Sequence, residues 1–313
     1  MPRPDGPVLV GLAGPKGGVG KSVLALNLAL ALSGRGLETI LADLDLGGAN
    51  LQPLLGLSGA RPDLADFAFR RLPLSDLLRP TGQANLAFLP GSTDAPGLAN
   101  LLNWLKAKLI SQLHRLPARV IVADLGSGSA FNVLDLFTEA RVRVLVTTPE
   151  ISSIFNAYGF LKTLAYRLFL RRLKADGRDS AHQLVEQALG SSRELGSTSL
   201  PGLIEQIRGL DPQAALDLTS LLDGLGPGLV LNMVEAESET RAGAALAALA
   251  RSRLGLEIPL LGRVPLDPAV RRSVREMKPL LLTAPGSPAG RAVAGLADKL
   301  LPLLTPEPDP DGL

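Results

Sequence analysis

The stretch Gly14 to Ser22, GPKGGVGKS, constrains this chain more than any other. It follows the apolar run Val8 to Ala13 (VLVGLA) and precedes Ser22 to Leu32, a Leu/Ala-rich segment of helical length. A glycine-rich turn between a buried strand and a helix lets successive backbone N–H groups point at one ligand, and the helix N-terminus adds favourable partial charge for an anion. Gly17, Gly18 and Gly20, with Val19 between them, supply that cradle. Lys21 is placed to reach β and γ phosphates, and Ser22 to hold Mg²⁺. In the usual spacing G-x-x-x-x-G-K-S a glycine would stand at position 15. This chain has Pro15, whose fixed negative φ excludes a left-handed turn there.

Further apolar runs follow at Thr39 to Asp43, Leu86 to Leu89, Val120 to Asp124, Val142 to Thr147, Leu229 to Asn232 and Leu260 to Val264, with a terminal helix expected from about Arg291 to Leu304. Buried strands alternating with helices predict an α/β fold: a doubly wound, mostly parallel sheet with helices on both faces. Ligands of such sheets bind at the carboxyl ends of the strands. One crossover is abnormally long, from Glu150 to Pro227, where about a dozen residues suffice for a parallel connection. Its first part, Ile151, Ile154, Phe155, Tyr158, Leu161, Leu164, Ala165 and Leu168, has helical spacing. Ala181 to Leu189, Gly202 to Ile207 and Pro212 to Leu222 read as shorter helices. Residues 1–304 are therefore expected to form one domain with a helical elaboration at about 175–227. The Pro-rich acidic tail 305–313 is expected to be disordered.

The 313 residues contain no Cys, which excludes a disulfide framework, a zinc-thiolate site, a Cys-ligated iron–sulfur cluster and a thiol nucleophile. The two histidines, His114 and His182, are too few and too far apart for a His-rich metal site. Mean hydropathy is positive, +0.24, yet no apolar run reaches the roughly 18 residues of a spanning helix. The start MPRPDGPVLV lacks the features of a signal peptide, so the expected location is cytoplasmic. A net charge of +2 does not by itself indicate nucleic-acid binding.

KGGVGKS, with its additional Lys16, resembles the deviant Walker A motif of the MinD/ParA ATPases, and three further blocks match that family in order. In DLDLGGAN, Asp43 and Asp45 lie two apart at a strand end and so face the same side. The block resembles switch I, DxDxGxxN, and Gly47 falls within it. Asp124-Leu-Gly126 resembles the Walker B and switch II segment. VTTPEISSIFNAYGFLK, Val146 to Lys162, resembles a segment of the MinD-like and FlhG-like branch, in which Pro149 and Glu150 are read as shaping a strand–helix turn. The resemblance spans about Val8 to Lys174 and Leu229 to Leu304. It implies ATP and Mg²⁺ as cofactors and an ATP-sandwiched homodimer in which Lys16 reaches the other subunit's phosphates. Asp45 would position the attacking water, with Lys21 on the phosphates. Ser22, Asp43 and Asp124 would serve the metal.

The absence of an Asn-Lys-x-Asp motif points to adenine rather than guanine. By resemblance, Asn232 contacts the base, and Pro265 and Asp267 belong to the loop lying against it. Two family features are not matched. PEPDPDGL stands where MinD carries a basic membrane-binding helix, so no direct membrane-targeting helix is expected. Seven residues precede the first strand, where FlhG proteins carry an activating segment.

The expected function is an ATP-dependent dimerising switch with slow, partner-stimulated hydrolysis that spatially regulates a structure such as flagella or the division machinery, through a protein partner not identified by sequence. One alternative is a ParA-type partition ATPase binding DNA non-specifically. It is motivated by the stripe Arg167, Arg171 and Lys174 with Arg172 and Arg178 nearby, which a solvated helix face also explains. Further alternatives are a P-loop metabolic ligase and a nucleotide-binding adaptor that hardly turns over.

Overall fold

In β1 (Val8–Gly14) the side chains of Leu9 and Ala13 enter one hydrophobic layer and those of Val10 and Leu12 the other. β5 (Val120–Ser127) divides the same way, with Ile121, Ala123 and Leu125 opposite Val120 and Val122. Strands apolar on both faces must be covered on both faces, which is the condition that produces parallel α/β sheets.

The structure, a computed structural model, describes residues 6–58, 62–92, 102–191 and 199–304. The tail 305–313 lies outside the described residues. The other strands are β2 (Thr39–Leu44), β3 (Arg79–Pro80), β4 (Leu86–Leu89), β6 (Val142–Thr147), β7 (Gly228–Val234) and β8 (Leu260–Pro265). Among the described residues they form one eight-stranded sheet in the order β3-β4-β2-β5-β1-β6-β7-β8. Every pairing is parallel except that of the two-residue β3 with β4. The expected doubly wound architecture is thus present, and each strand foreseen in the sequence is found.

On one face pack α1 (Lys21–Ser33), α2 (Leu51–Leu54), α12 (Leu280–Thr283) and α13 (Pro288–Leu304). α1 is buried from Leu24 to Ser33, because it lies between the sheet and α13. Its one interior amide, Asn27, is satisfied: it donates to Val23 O at 2.8 Å and accepts from Leu281 N at 2.9 Å. α13 begins three residues before the expected Arg291. Pro288 suits the first helical turn, and Ser287 Oγ accepts from Gly290 N at 3.1 Å.

The other face carries α3 (Leu64–Phe69), α4 (Asn103–Leu113), α5 (Phe131–Glu139), the 25-residue α6 (Ile151–Ala175) and α10 (Thr240–Leu254). The long crossover adds α7 (Asp179–Ser191), α8 (Leu200–Leu210) and α9 (Pro212–Asp223). α8 and α9 start where the sequence supplies caps. Ser199 Oγ accepts from Gly202 N and Asp211 Oδ1 from Ala214 N, each followed by a proline in the first turn. Ala181, Val185, Leu203, Ile207 and Leu218 of these helices join the same buried cluster as α5 and α6.

Two arginines tie the elaboration to the end of α6: Arg172 reaches Asp217 at 3.6 Å, and Arg178, 20% exposed, meets Asp217 at 3.0 Å, Asp211 at 3.4 Å and Asp176 at 3.9 Å. Arg178→Ala removes charged hydrogen bonds worth about 1.5–3 kcal/mol. The expected outcome is a lower unfolding midpoint, with faster amide hydrogen exchange in α7–α9 and unchanged exchange in β1 and β5.

Candidate functional site

The carboxyl ends of β1, β2 and β5 meet at a set of charged side chains that the core cannot solvate. Gly20, at φ 81°, turns the chain into α1. A Cβ at this position would also fall on the Asn232 amide, so both conformation and space demand glycine. The turn buries Lys21, 6% exposed, against Asp124, 1% exposed, and the two form a salt bridge. Val19 sends its side chain into the core, so only its backbone is available to a ligand; Gly17 and Gly18 are exposed.

Asp43 and Asp124 are register partners on β2 and β5. Asp43 Oδ2 accepts from the N–H groups of Asn50 and Leu51, both at 2.9 Å, and so fastens the start of α2. Burial first, then the nearby Asp124, push the Asp43 carboxyl up to about 7, against the lowering effect of the Leu51 N–H. Burial likewise raises Asp124, against the opposing charge of Lys21 and hydrogen bonds from Lys21 and Ser22. Asp45 is half-buried and lies over Gly126, where a Cβ would stand 3.0 Å from Asp45 Oδ1. The two segments read as switches are therefore in contact through a carboxylate and a glycine.

These residues fit a hard divalent cation. The donors are oxygens, Asp43 and Asp124 are buried and mutually repelling, and the Lys21 ammonium already stands as a cation on Asp124. Among the described residues no three His, Cys, Asp or Glu side chains converge into a metal cage. That suits Mg²⁺, which completes its shell with phosphate and water.

Lys16 points elsewhere. Its Nζ lies 3.4 Å from Glu150 Oε2 and 3.4 Å from Ser152 Oγ, at the partly exposed start of α6. Glu150 Oε2 also accepts from Ser153 Oγ at 3.1 Å and Thr148 Oγ1 at 3.2 Å. The hydrogen bonds of Ser153 and Thr148, then that of Lys16, hold this carboxyl below its ordinary range. Glu150 therefore does more than shape the turn: it carries the loop lysine.

Beside the loop a mostly apolar cavity of about 440 Å³ is lined by Gly20, Asn232, Pro265, Asp267 and residues of α1 and α11 (Pro268–Arg275). The three residues assigned to the base are thus together at one cavity. Asn232 Nδ2, however, donates to Val19 O at 2.8 Å and supports the phosphate loop. Both Asp267 oxygens are engaged by backbone, Oδ1 by Ala269 N and Oδ2 by Ala289 N. Asp267 is a helix cap that shapes the cavity wall.

The basic stripe on α6 is not a free solvated face. Arg167 and Arg171 bond Asp135, Arg172 pairs with Asp176 and Asp217, and Arg178 pairs as described above. Only Lys174 of the five lacks a carboxylate partner among the described residues.

Residues 10–280 match the CobQ/CobB/MinD/ParA nucleotide-binding domain family. The chain belongs to this family. It is 25% identical over 94% of its length to an uncharacterized ATP-binding protein of Methanocaldococcus jannaschii, covering 88% of that protein. It is 34% identical over 158 residues to the antiactivator FleN of Pseudomonas aeruginosa, a match covering 50% of this chain and 56% of FleN. An iron–sulfur cluster carrier protein of Mycobacterium tuberculosis is 26% identical over 92% of this chain, which spans 63% of the carrier. With no Cys, the present chain has no thiolate to ligate a cluster. The fold is that of the septum site-determining protein MinD from Pyrococcus horikoshii complexed with Mg-ADP, at a TM-score of 0.63 and 20% identity, covering 96% of this chain and 99% of that one.

Because the folded pKa of Asp43 lies above its ordinary 3.8, the native protein binds more protons than the unfolded chain between those values. The contribution of Asp43 to the stability of the nucleotide-free protein is then full below about pH 4 and is lost as pH rises through 7. Asp43→Asn keeps an acceptor for Asn50 and Leu51 and removes the charge. Its midpoint in thermal unfolding without Mg²⁺ is expected to exceed the wild type's by several degrees at pH 8, with the difference shrinking as pH falls and closing only below about pH 4.

Proposed function

We propose that this protein is an ATP-driven dimerising switch of the MinD/FlhG-like kind, hydrolysing ATP to ADP and phosphate and regulating through a protein partner where a cellular structure, such as flagella or the division machinery, is placed. The observation that carries the reading is the division of labour between two lysines of one loop. Lys21 is sealed inside against Asp124, whereas Lys16 is 38% exposed and held across the rim by Glu150 and the Ser152 hydroxyl, both at 3.4 Å. An exposed ion pair of that kind is worth roughly 0–1 kcal/mol, so Lys16 exchanges readily to a stronger anion. Ile151 and Phe155, on the first turns of α6 beside it, are 77% and 66% exposed. An apolar pair flanking an available cation suits burial against a second copy, with Lys16 of each copy meeting the other's nucleotide.

In this reading the loop backbone from Gly17 to Gly20 cradles the phosphates, and Lys21 moves from Asp124 toward them. Ser22, Asp43 and Asp124 hold Mg²⁺, which would neutralise developing charge on the phosphate oxygens. Asp45 orients the attacking water, and its contact with Gly126 passes the loss of the γ-phosphate between the two switch segments. The cavity at Asn232 and Pro265 receives the adenine. The similarity to FleN, an antiactivator, supports a regulatory output. The partition alternative is less well supported, since Arg167 and Arg178 of its stripe are largely buried on carboxylates and Arg171 and Arg172 are partly engaged by them. Among the described residues no helix is long and apolar enough to cross a membrane.

Asp45→Ala with ATP and Mg²⁺ is expected to elute in size-exclusion chromatography at twice the monomer mass, and Lys16→Ala/Asp45→Ala as monomer. Elution of Asp45→Ala solely as monomer would refute the sandwich dimer. In steady-state assays Lys16→Ala is expected to lower the ATPase rate about 10³-fold, the order of effect of a cation supplied in trans.

A further inference from the structure

Between α4, α5 and α6 lies a cavity of about 670 Å³ that shares no lining residue with the nucleotide cavity. One carboxylate organises its wall. Asp135, 5% exposed, accepts on Oδ1 from Arg167 Nε at 2.6 Å and Arg171 Nη1 at 3.1 Å, and on Oδ2 from Arg167 Nη2 at 2.9 Å and Lys106 Nζ at 2.5 Å. A carboxylate offers about four lone-pair sites, so Asp135 is saturated. Burial alone would raise it; the bonds from Arg167 and Lys106 outweigh burial and hold it below the usual carboxylate range.

One negative charge thus gathers three cations. Arg115 adds a fourth, exposed and with no side-chain partner among the described residues, and His114 stands beside it. The second carboxylate of the lining, Glu139, also acts on Arg143. Four permanent cations therefore face two carboxylates across a concave wall, of which Lys106 is only 6% exposed. Such a wall raises the local concentration of anions. The Arg167 guanidinium lies 4.1 Å over the Phe131 ring, which fixes its plane. Arg171, 52% exposed, spends one N–H on Asp135 and keeps the rest of its fork for a ligand.

We infer that this cavity is a second ligand site, which takes a small anion bearing two or more phosphate groups on the forks of Arg115 and Arg171, with Lys106, Arg167 and Asp135 holding the wall in place. Guanidinium forks match phosphate oxygens bidentately, and the volume lies in the range of about 300–1,000 Å³ typical of small-molecule sites. The adenine cavity, by contrast, is apolar and takes a base.

The test is isothermal titration of inorganic pyrophosphate into the full chain saturated with Mg-ADP, so that the phosphate loop is already filled. One additional site per chain is expected, its affinity falling about tenfold or more in Arg115→Gln/Arg171→Gln. A smaller fall is expected in Arg115→Gln alone, whose side chain makes no hydrogen bond or ion pair among the described residues. Unchanged ADP affinity and an unchanged unfolding midpoint identify the loss as local. A parallel titration with GDP separates the sources of phosphate: tighter binding than pyrophosphate assigns a nucleotide, weaker binding a free phosphate chain. The inference is overturned if pyrophosphate gives no heat beyond the ADP site, if the double variant binds as the wild type does, or if citrate binds as tightly as pyrophosphate.

Discussion

The buried ion pair between Lys21 and Asp124 joins the first residue of α1 to the end of β5, and much of the surrounding geometry follows from the need to satisfy it. Charges this deep are tolerated only when paired, and removing either partner strands the other in a low-dielectric interior. Gly20 must adopt its left-handed turn for Lys21 to enter, and Asn232 must hold Val19 O for the loop to keep its path. One lysine cannot serve two buried carboxylates. Asp43, next to Asp124 and without a cation of its own, is driven up to about 7. The arrangement is electrostatically incomplete as a protein alone, and a divalent ion with bound phosphate is the kind of ligand that completes it.

The same loop carries a second lysine under the opposite regime. Lys16 lies five positions before Lys21, yet its partner Glu150 is exposed and already shared with Ser153 and Thr148. Water screens that pair, so letting Lys16 go costs little, whereas Lys21 has to be exchanged for an equally strong partner. Two lysines of equal intrinsic charge thus acquire different mobility from burial alone. In the proposed reading, that difference separates a residue that seats the nucleotide from one available to another molecule.

Much of the fold was legible because its signals are local. The apolar runs that form β1 and β5, the glycine turn at Gly20 and the helix opening at Pro212 each lie within a few residues. The loop from Gly14 to Ser22 was legible for the same reason. What could not be read was the identity of partners distant in sequence. The spacing of Arg167 and Arg171 places them on one face of α6 but says nothing of Asp135, more than thirty residues away, and so a buried hub resembled a solvated stripe. Asp267 was assigned to the base from its place in the loop. Its position before Pro268 is equally the signature of a helix cap, which Oδ1 fulfils on Ala269 N of α11, while Oδ2 accepts from Ala289 N of α13, a distant partner the sequence does not indicate. Glu150 passed as a turn residue because nothing in its neighbourhood points to Lys16.

The Asp135 hub also bears on how nucleotide state can reach the surface. β5 ends in Asp124 and Gly126, and the chain then enters α5, where Asp135 ties that helix to Lys106 of α4 and to Arg167 and Arg171 of α6. Between β5, fixed in the centre of the sheet, and α5, held on both sides, the chain is tied to the end of β1: Ser127 pairs with Gly14, and Gly128 N–H donates to Gly14 O at 3.0 Å. Gly126 touches Asp45 at one end of this segment, and Phe131 supports Arg167 at the other. Under the proposed switch reading, a response to the γ-phosphate that begins at Gly126 enters this short connection, whose far end is Phe131 against Arg167, so the connection is a contiguous path from the phosphate loop to the α4–α5–α6 cavity.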